Sequence, residues 1–258
     1  MKRTLATSIL FLLTLAALHA ATGPTLSLTD PSKVTINWPE WNGSCYPAGP
    51  CWQFGMPAHP DGNGSQVWLD LPASGTCGML DASTEVPTYD ECAAHALRFP
   101  YKGSVATKSQ LSATFQTLDM GGATGTNCQV WWMGPFPGAI PESGRLYGYP
   151  CEGRVSFVLW KDDRSDYGRW YSYGRVMASL SAFGVVQTMT ADLNDPAIWS
   201  SVYWHMANSS AAALKGFNAA KAHLAEIHLA FSGGDFAEHG ANSVGGPVRF
   251  ELRDIRLQ

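Results

Sequence analysis

Charged side chains are scarce in this sequence, and no apolar run is long after its first twenty positions. Lys, Arg, Asp and Glu together make up 15% of the 258 residues, with a formal charge of −4. That leaves no basic stripe to neutralise phosphates and argues against a nucleic-acid partner. No segment after residue 20 approaches the roughly 20 apolar residues of a membrane-spanning helix, so no membrane insertion is expected of the processed chain. Short catalytic and metal motifs are missing as well. The sequence has no His-Glu-x-x-His for zinc and no Gly-x-Ser-x-Gly around a serine nucleophile. His223 and His228 stand five apart, a spacing that suits no metal, and each reads as structural. No cofactor is expected.

What is present begins with an export signal. Lys2 and Arg3 precede a largely apolar stretch from Leu5 to Leu18, followed by His19, Ala20 and Ala21. A basic start, a short apolar stretch and small residues at its end read as a bacterial-type signal peptide over residues 1–20, cut after Ala20. Residues 21–258 are then expected to form one domain, secreted to the periplasm or beyond the cell. The sequence holds six cysteines, Cys45, Cys51, Cys77, Cys92, Cys128 and Cys151. An even number in an exported chain predicts disulfides rather than metal binding. Fifteen pairings are possible. The Gly/Pro-rich or short segments between neighbours favour Cys45–Cys51, Cys77–Cys92 and Cys128–Cys151.

Rings and turn formers are abundant, with 10 Trp, 9 Tyr, 11 Phe and 26 Gly. That mixture points to an all-β protein, and ten tryptophans exceed what one core needs. Alternation predicts nine strands: 25–38, 66–71, 110–118, 129–133, 154–160, 169–179, 185–193, 226–231 and 248–257. The fold class expected is a β-sandwich of the jelly-roll kind with a few short helices, stabilised by disulfides. Thr88 with Glu91 reads as a capping box for a helix through Leu97. Asp195-Pro196 opens a short helix to about Trp204, and Ser210 opens an Ala-rich one to about Leu224.

Two strands carry finer detail. Val248, Phe250 and Leu252 share one parity and Ile255 and Leu257 the other, so a β-bulge near Arg253–Asp254 is needed to bring both sets to the core. In the strand from Arg169, the residues Arg169, Tyr171, Tyr173 and Arg175 share a face opposite Trp170 and Val176. Glu226 and His228 likewise share the face opposite Ile227, Leu229 and Phe231.

The C-terminal sequence Ile227-His-Leu-Ala-Phe-Ser-Gly-Gly-Asp-Phe-Ala-Glu-His-Gly, followed by Gly246-Pro-Val-Arg-Phe-Glu-Leu-Arg-Asp-Ile-Arg-Leu, resembles the closing hairpin of galactose-binding-like jelly rolls in carbohydrate-binding modules. Residues 188–204 look like the preceding part of the same fold, so the likeness spans about the last third. It implies a glycan partner. It also implies a structural calcium, for which Glu251 or Asp254 are candidates, although Arg253 stands where such modules carry the acid. Asp162, Asp163 and Asp166 offer further oxygen ligands, and three acids in such a loop are more often simply solvated.

Sugar rings stack their C–H faces on aromatic planes, while their hydroxyls require planar polar partners. Trp131, Trp132, Trp160, Tyr171, Tyr173, Trp199 and Trp204 are the candidate rings, of which about two-thirds are assigned to the core. The ligand-binding set is Trp132, Trp160, Arg169, Tyr171, Tyr173, Arg175, Glu226 and His228, with Tyr171 and Tyr173 as the foremost surface rings. An enzymatic alternative reads Glu226 with Asp235 or Glu238 as a hydrolase pair, or Tyr171, His228 and Arg175 as a lyase set. A further alternative is an envelope or adhesion protein whose rings meet another protein. Binding without chemistry is the leading expectation.

Overall fold

In the computed structural model of the chain, the described residues are 67–71, 96–128, 152–161, 167–172, 175–201, 205–232 and 240–258, with the backbone of short strands at 26–27, 35–37, 56–57 and 59–60. Two larger antiparallel sheets and one two-stranded ribbon account for most of them. The first sheet has the order β12 (Val186–Asp192), β7 (Gln110–Asp119), β16 (Val248–Leu257), β5 (Val67–Leu71) and β4 (His59–Pro60). The strand β1 (Leu26–Ser27) joins it along the far half of β16.

The second sheet runs β13 (Ser200–Ser201), β10 (Arg169–Tyr171), β9 (Arg154–Trp160), β14 (Leu224–Ser232), β6 (Ala96–Gly103), β2 (Thr35–Asn37) and β3 (Met56–Pro57). The strand β11 (Met177–Ser179) also pairs with β9. The ribbon is β8 (Gly125–Cys128) with β15 (Ala241–Val244). One α-helix, α1 (Ala211–Ala222), is described, its first turn closed by the Ser210 hydroxyl, which accepts from Ala213 N–H.

The inner faces of the two sheets share one core. Phe250 of β16 stacks on Phe115 of β7 at 5.1 Å and meets Phe231 of β14 edge-on at 5.0 Å, so the ring bridges the sheets. Trp170, Trp199 and Phe217 of α1 extend the same core and are fully buried. Burial of each such ring is worth about 2–3 kcal/mol of transfer free energy before chain entropy is counted.

Several sequence expectations meet their structure here. The bulge sits at Arg253, since Leu252 pairs with Phe115 and Asp254 with Thr114, its neighbour on β7. Strands 67–71, 110–119, 154–160, 186–192, 224–232 and 248–257 fall where alternation placed them. Within the stretch 25–38 the described residues, 26–27 and 35–37, are strands of different sheets, and 169–179 is broken after Tyr171. The break has a local cause. Ser172 Oγ accepts from Phe157 N–H and donates to Val176 O, while Ser172 O accepts from Val176 N–H, so a closed turn replaces the strand.

Residues 96–97 belong to strand β6 rather than to a helix, while 88–95 lie outside the described residues. Pro100 inside β6 disguised it, because proline removes a ladder donor. The sheet absorbs the proline with a bulge: β14 advances from Leu224 to Glu226 while β6 moves from Gly103 to Pro100. After Asp195 only a single 3₁₀ turn, Pro196–Ile198, forms before β13. The stretch 129–133 and the side chains of all six cysteines lie outside the described residues. Among the described residues no helix is long and apolar enough to cross a membrane.

Candidate functional site

On the outer face of the second sheet, strand register assembles one polar and aromatic cluster. Trp160 of β9 pairs with Arg169 of β10 on one side and with Glu226 of β14 on the other. His228 lies two residues along β14, and Arg98 of β6 pairs with it. Alternation sends the intervening Leu159, Trp170, Ile227 and Phe99 into the core, which leaves these five side chains on one face.

The contacts are directional. Arg98 Nε donates to Glu226 Oε2 at 2.6 Å and Nη2 donates to Oε1 at 2.7 Å, a two-point fork. His228 Nε2 lies 2.7 Å from the same Oε2. An ionised carboxylate only accepts, so Nε2 carries the proton in that bond. The guanidinium carbons of Arg98 and Arg169 each stand 4.7 Å from the centroid of the Trp160 ring, which also takes the His228 ring edge-on at 5.1 Å. His228 is only 1% exposed, whereas about a fifth of the Arg98 and Glu226 side chains reaches solvent, 21% and 22%. The cluster is thus a rim built on a buried support.

Burial pushes the Glu226 carboxyl upward, but hydrogen bonds from His228 and Arg98, reinforced by their charge, outweigh it. The group ionises below its ordinary value of 4.5. A carboxylate held in that form is an acceptor and an orienting group rather than a proton donor.

Further along this face the polar rim gives way to packing. Val158 separates Tyr171 from His228 in one cross-strand row, so those two side chains stand about 10 Å apart by strand spacing. Tyr171 packs with Val158, Ala230 and Met177 and is 3% exposed, which corrects its reading as a surface ring. Arg175 is exposed in the turn before β11, because the strand that would have aligned it with Tyr171 ends at that residue. Trp199 is core, with Nε1 donating to Asp192 O at 2.9 Å. Trp131, Trp132, Asp162, Asp163, Asp166, Tyr173, Trp204, Asp235 and Glu238 lie outside the described residues.

The two calcium candidates stand beside arginines of their own strand. Glu251 and Asp254 share the outer face of β16, but Asp254 is ion-paired with Arg256 and Glu251 stands close enough to Arg249 to favour its charged form. Among the described residues no three His, Cys, Asp or Glu side chains converge as a metal site requires.

Sequence reasoning found Trp160, Arg169, Glu226 and His228 but missed Arg98, which completes the fork. Its only sequence signal was the alternation of Leu97, Arg98 and Phe99, masked by Pro100 and by the expected helix. No family model and no curated protein matches this chain.

Proposed function

We propose that the protein is a secreted carbohydrate-binding protein of jelly-roll type, with disulfides in its N-terminal two-thirds and no chemistry of its own. The observation that carries the reading is the Trp160 rim. An indole flanked by two guanidinium groups, with Glu226 and His228 fixed behind them, sets directional N–H donors beside an aromatic surface. Hydroxyl-rich rings require that combination. The supporting strands are packed in the core on their other side, so the donors are preorganised and little side-chain entropy is lost on binding. The signal-like first twenty residues and the C-terminal likeness to carbohydrate-binding modules point the same way.

In the hydrolase alternative Glu226, held ionised by Arg98 and His228, would serve as the base or nucleophile, and the acid partner, Asp235 or Glu238, lies outside the described residues. In the lyase set Tyr171 is buried and stands about 10 Å from His228, with Val158 between them. An adhesion role would be served better by a flat apolar patch than by an ion-paired rim.

The test is retention on a panel of immobilised polysaccharides, comparing the protein with its Trp160→Ala variant. Retention by one glycan class that weakens about tenfold or more in the variant supports the reading, that being the worth of one good contact. Retention by no glycan overturns it, and progressive loss of the polymer itself replaces it with an enzyme.

A further inference from the structure

We propose that β12 pairs with β12 of a second copy of this chain, antiparallel about a two-fold axis at Thr188, and so joins the first sheets of two molecules. The ends of the two large sheets are β12 and β4 in the first, β13 and β3 in the second. β4 and β3 are two residues long and finish in Pro60 and Pro57, residues with no N–H to give an incoming strand. β13 is two residues long as well, and the chain turns back on it where Ser200 pairs with Met206. β12 has seven residues without proline, lysine or arginine, and its register on β7 runs unbroken. Edge strands are ordinarily blunted by brevity, proline, lysine or a bulge, and β12 has none of these.

The direction of its backbone groups follows from one bond. Leu193 N–H donates to Ser109 O at 2.8 Å, so alternation turns Gln187, Met189 and Ala191 toward β7 and points the N–H and C=O of Val186, Thr188 and Thr190 away from it. Asp192 O lies on that outward side and accepts from Trp199 Nε1 at 2.9 Å. No described strand pairs there. Thr188 and Thr190 are exposed, and Val185 and Val186 are 54% and 48% exposed. Self-pairing centred on Thr188 sets Thr188 opposite its copy and Val186 opposite Thr190, so the outward N–H and C=O groups of all three meet partners. Charge fits a second copy too. Asp192, the one charged residue of β12, falls opposite Gly184. Its two copies then stand about 27 Å apart by strand rise, beyond the screening length of about 8 Å in physiological salt. The contact uses the same surface on both copies, so it closes at two subunits rather than growing into a fibre.

The experiment is sedimentation of the purified protein from about 1 to 500 µM, the range in which a small polar interface assembles, with amide hydrogen exchange followed at both ends of the series. The expected result is a mass that doubles toward the upper end. Exchange at Val186, Thr188 and Thr190 should slow by about tenfold or more over the same range. Thr188→Lys sets two ammonium groups against each other on the axis, from a position that is exposed in the single chain, so it should fold and stay monomeric throughout. Should that variant fail to fold, exchange in the unaltered protein decides alone. Leu214→Lys, at the exposed apolar residue of α1, should leave the dimer intact. A dimer that survives Thr188→Lys, one lost instead in Leu214→Lys, or one in which those three amides exchange unchanged overturns the proposal. A protein that is monomeric at every concentration overturns it as well and leaves the edge to a strand of another protein. The glycan-binding reading stands in each of these cases.

Discussion

The outer faces of the two large sheets are built on different terms. On the first, Thr188, Thr190 and Asp192 of β12 are exposed, Thr114 shares a 3.1 Å hydroxyl contact with Thr188, and Arg249 forks onto Asp70 at 2.7 and 3.0 Å above Trp68. On the second, Ser156, Val158, Tyr171, His228 and Ala230 are at most 3% exposed. One sheet is solvated on its outside and the other is packed on both sides. The sequences follow suit, because a half-solvated strand such as β7 or β12 alternates cleanly, while β9 runs Val-Ser-Phe-Val-Leu with every residue buried. A polar cluster therefore means different things on the two faces. On the first sheet, ion pairs are ordinary surface furniture worth little. On the second, a charged rim on a desolvated support is costly to build and consequently more informative.

The sharpest way to break this comparison is to place the same charge on each face. Val158→Asp should cost more than about 4 kcal/mol and leave the chain largely unfolded, since it buries an unpaired carboxylate. Thr188→Asp should stay within about 0.5 kcal/mol in urea titrations. Equal losses would show that the two faces do not differ. Tyr171→Ala is next, with an expected loss of about 3 kcal/mol in thermal or urea unfolding, and a near-neutral result would return Tyr171 to the surface.

Glu226→Gln should lose about 1–2 kcal/mol at neutral pH, a figure already reduced for the solvent that reaches the pair. This loss should depend on pH with a definite sign. Folded Glu226 ionises below the ordinary 4.5, so in acid the unfolded chain takes up its proton first. The stabilisation is complete above about pH 4.5 and disappears as pH falls through the folded value, so the gap in melting temperature between wild type and variant should close in acid. A gap that persists unchanged to low pH would mean that the carboxylate's charge is not what Arg98 and His228 hold. The smallest effect expected is that of Thr188→Ala, under about 0.5 kcal/mol, because its hydroxyl partner on Thr114 is solvated.

Much of the fold was legible where structure is local. Six strands fell where period-two alternation put them, and the bulge at Arg253 followed from a change of parity within ten residues. The Ser210 cap located α1. Elsewhere the same reasoning misled. Ser172 folds its side chain into a turn that ended a strand, and Pro100 hid β6 behind a bulge that only its partner strand reveals. Tyr171 alternated correctly, yet its face was assigned to solvent because alternation says which residues share a side and nothing about what lies over it.

The sequence by itself determined the periodicity of the long strands, the helix cap, and the sharing of faces by Glu226 with His228 and by Arg169 with Tyr171. Tertiary structure decided which strands became neighbours. Arg98 and Glu226 are 128 positions apart, and the fork between them exists only because β6 lies beside β14. Side-chain direction within a strand is fixed by local stereochemistry, whereas strand order is a balance of loop entropy against burial summed over the whole chain. That balance is why the residues of the rim could be named early and their joint geometry could not.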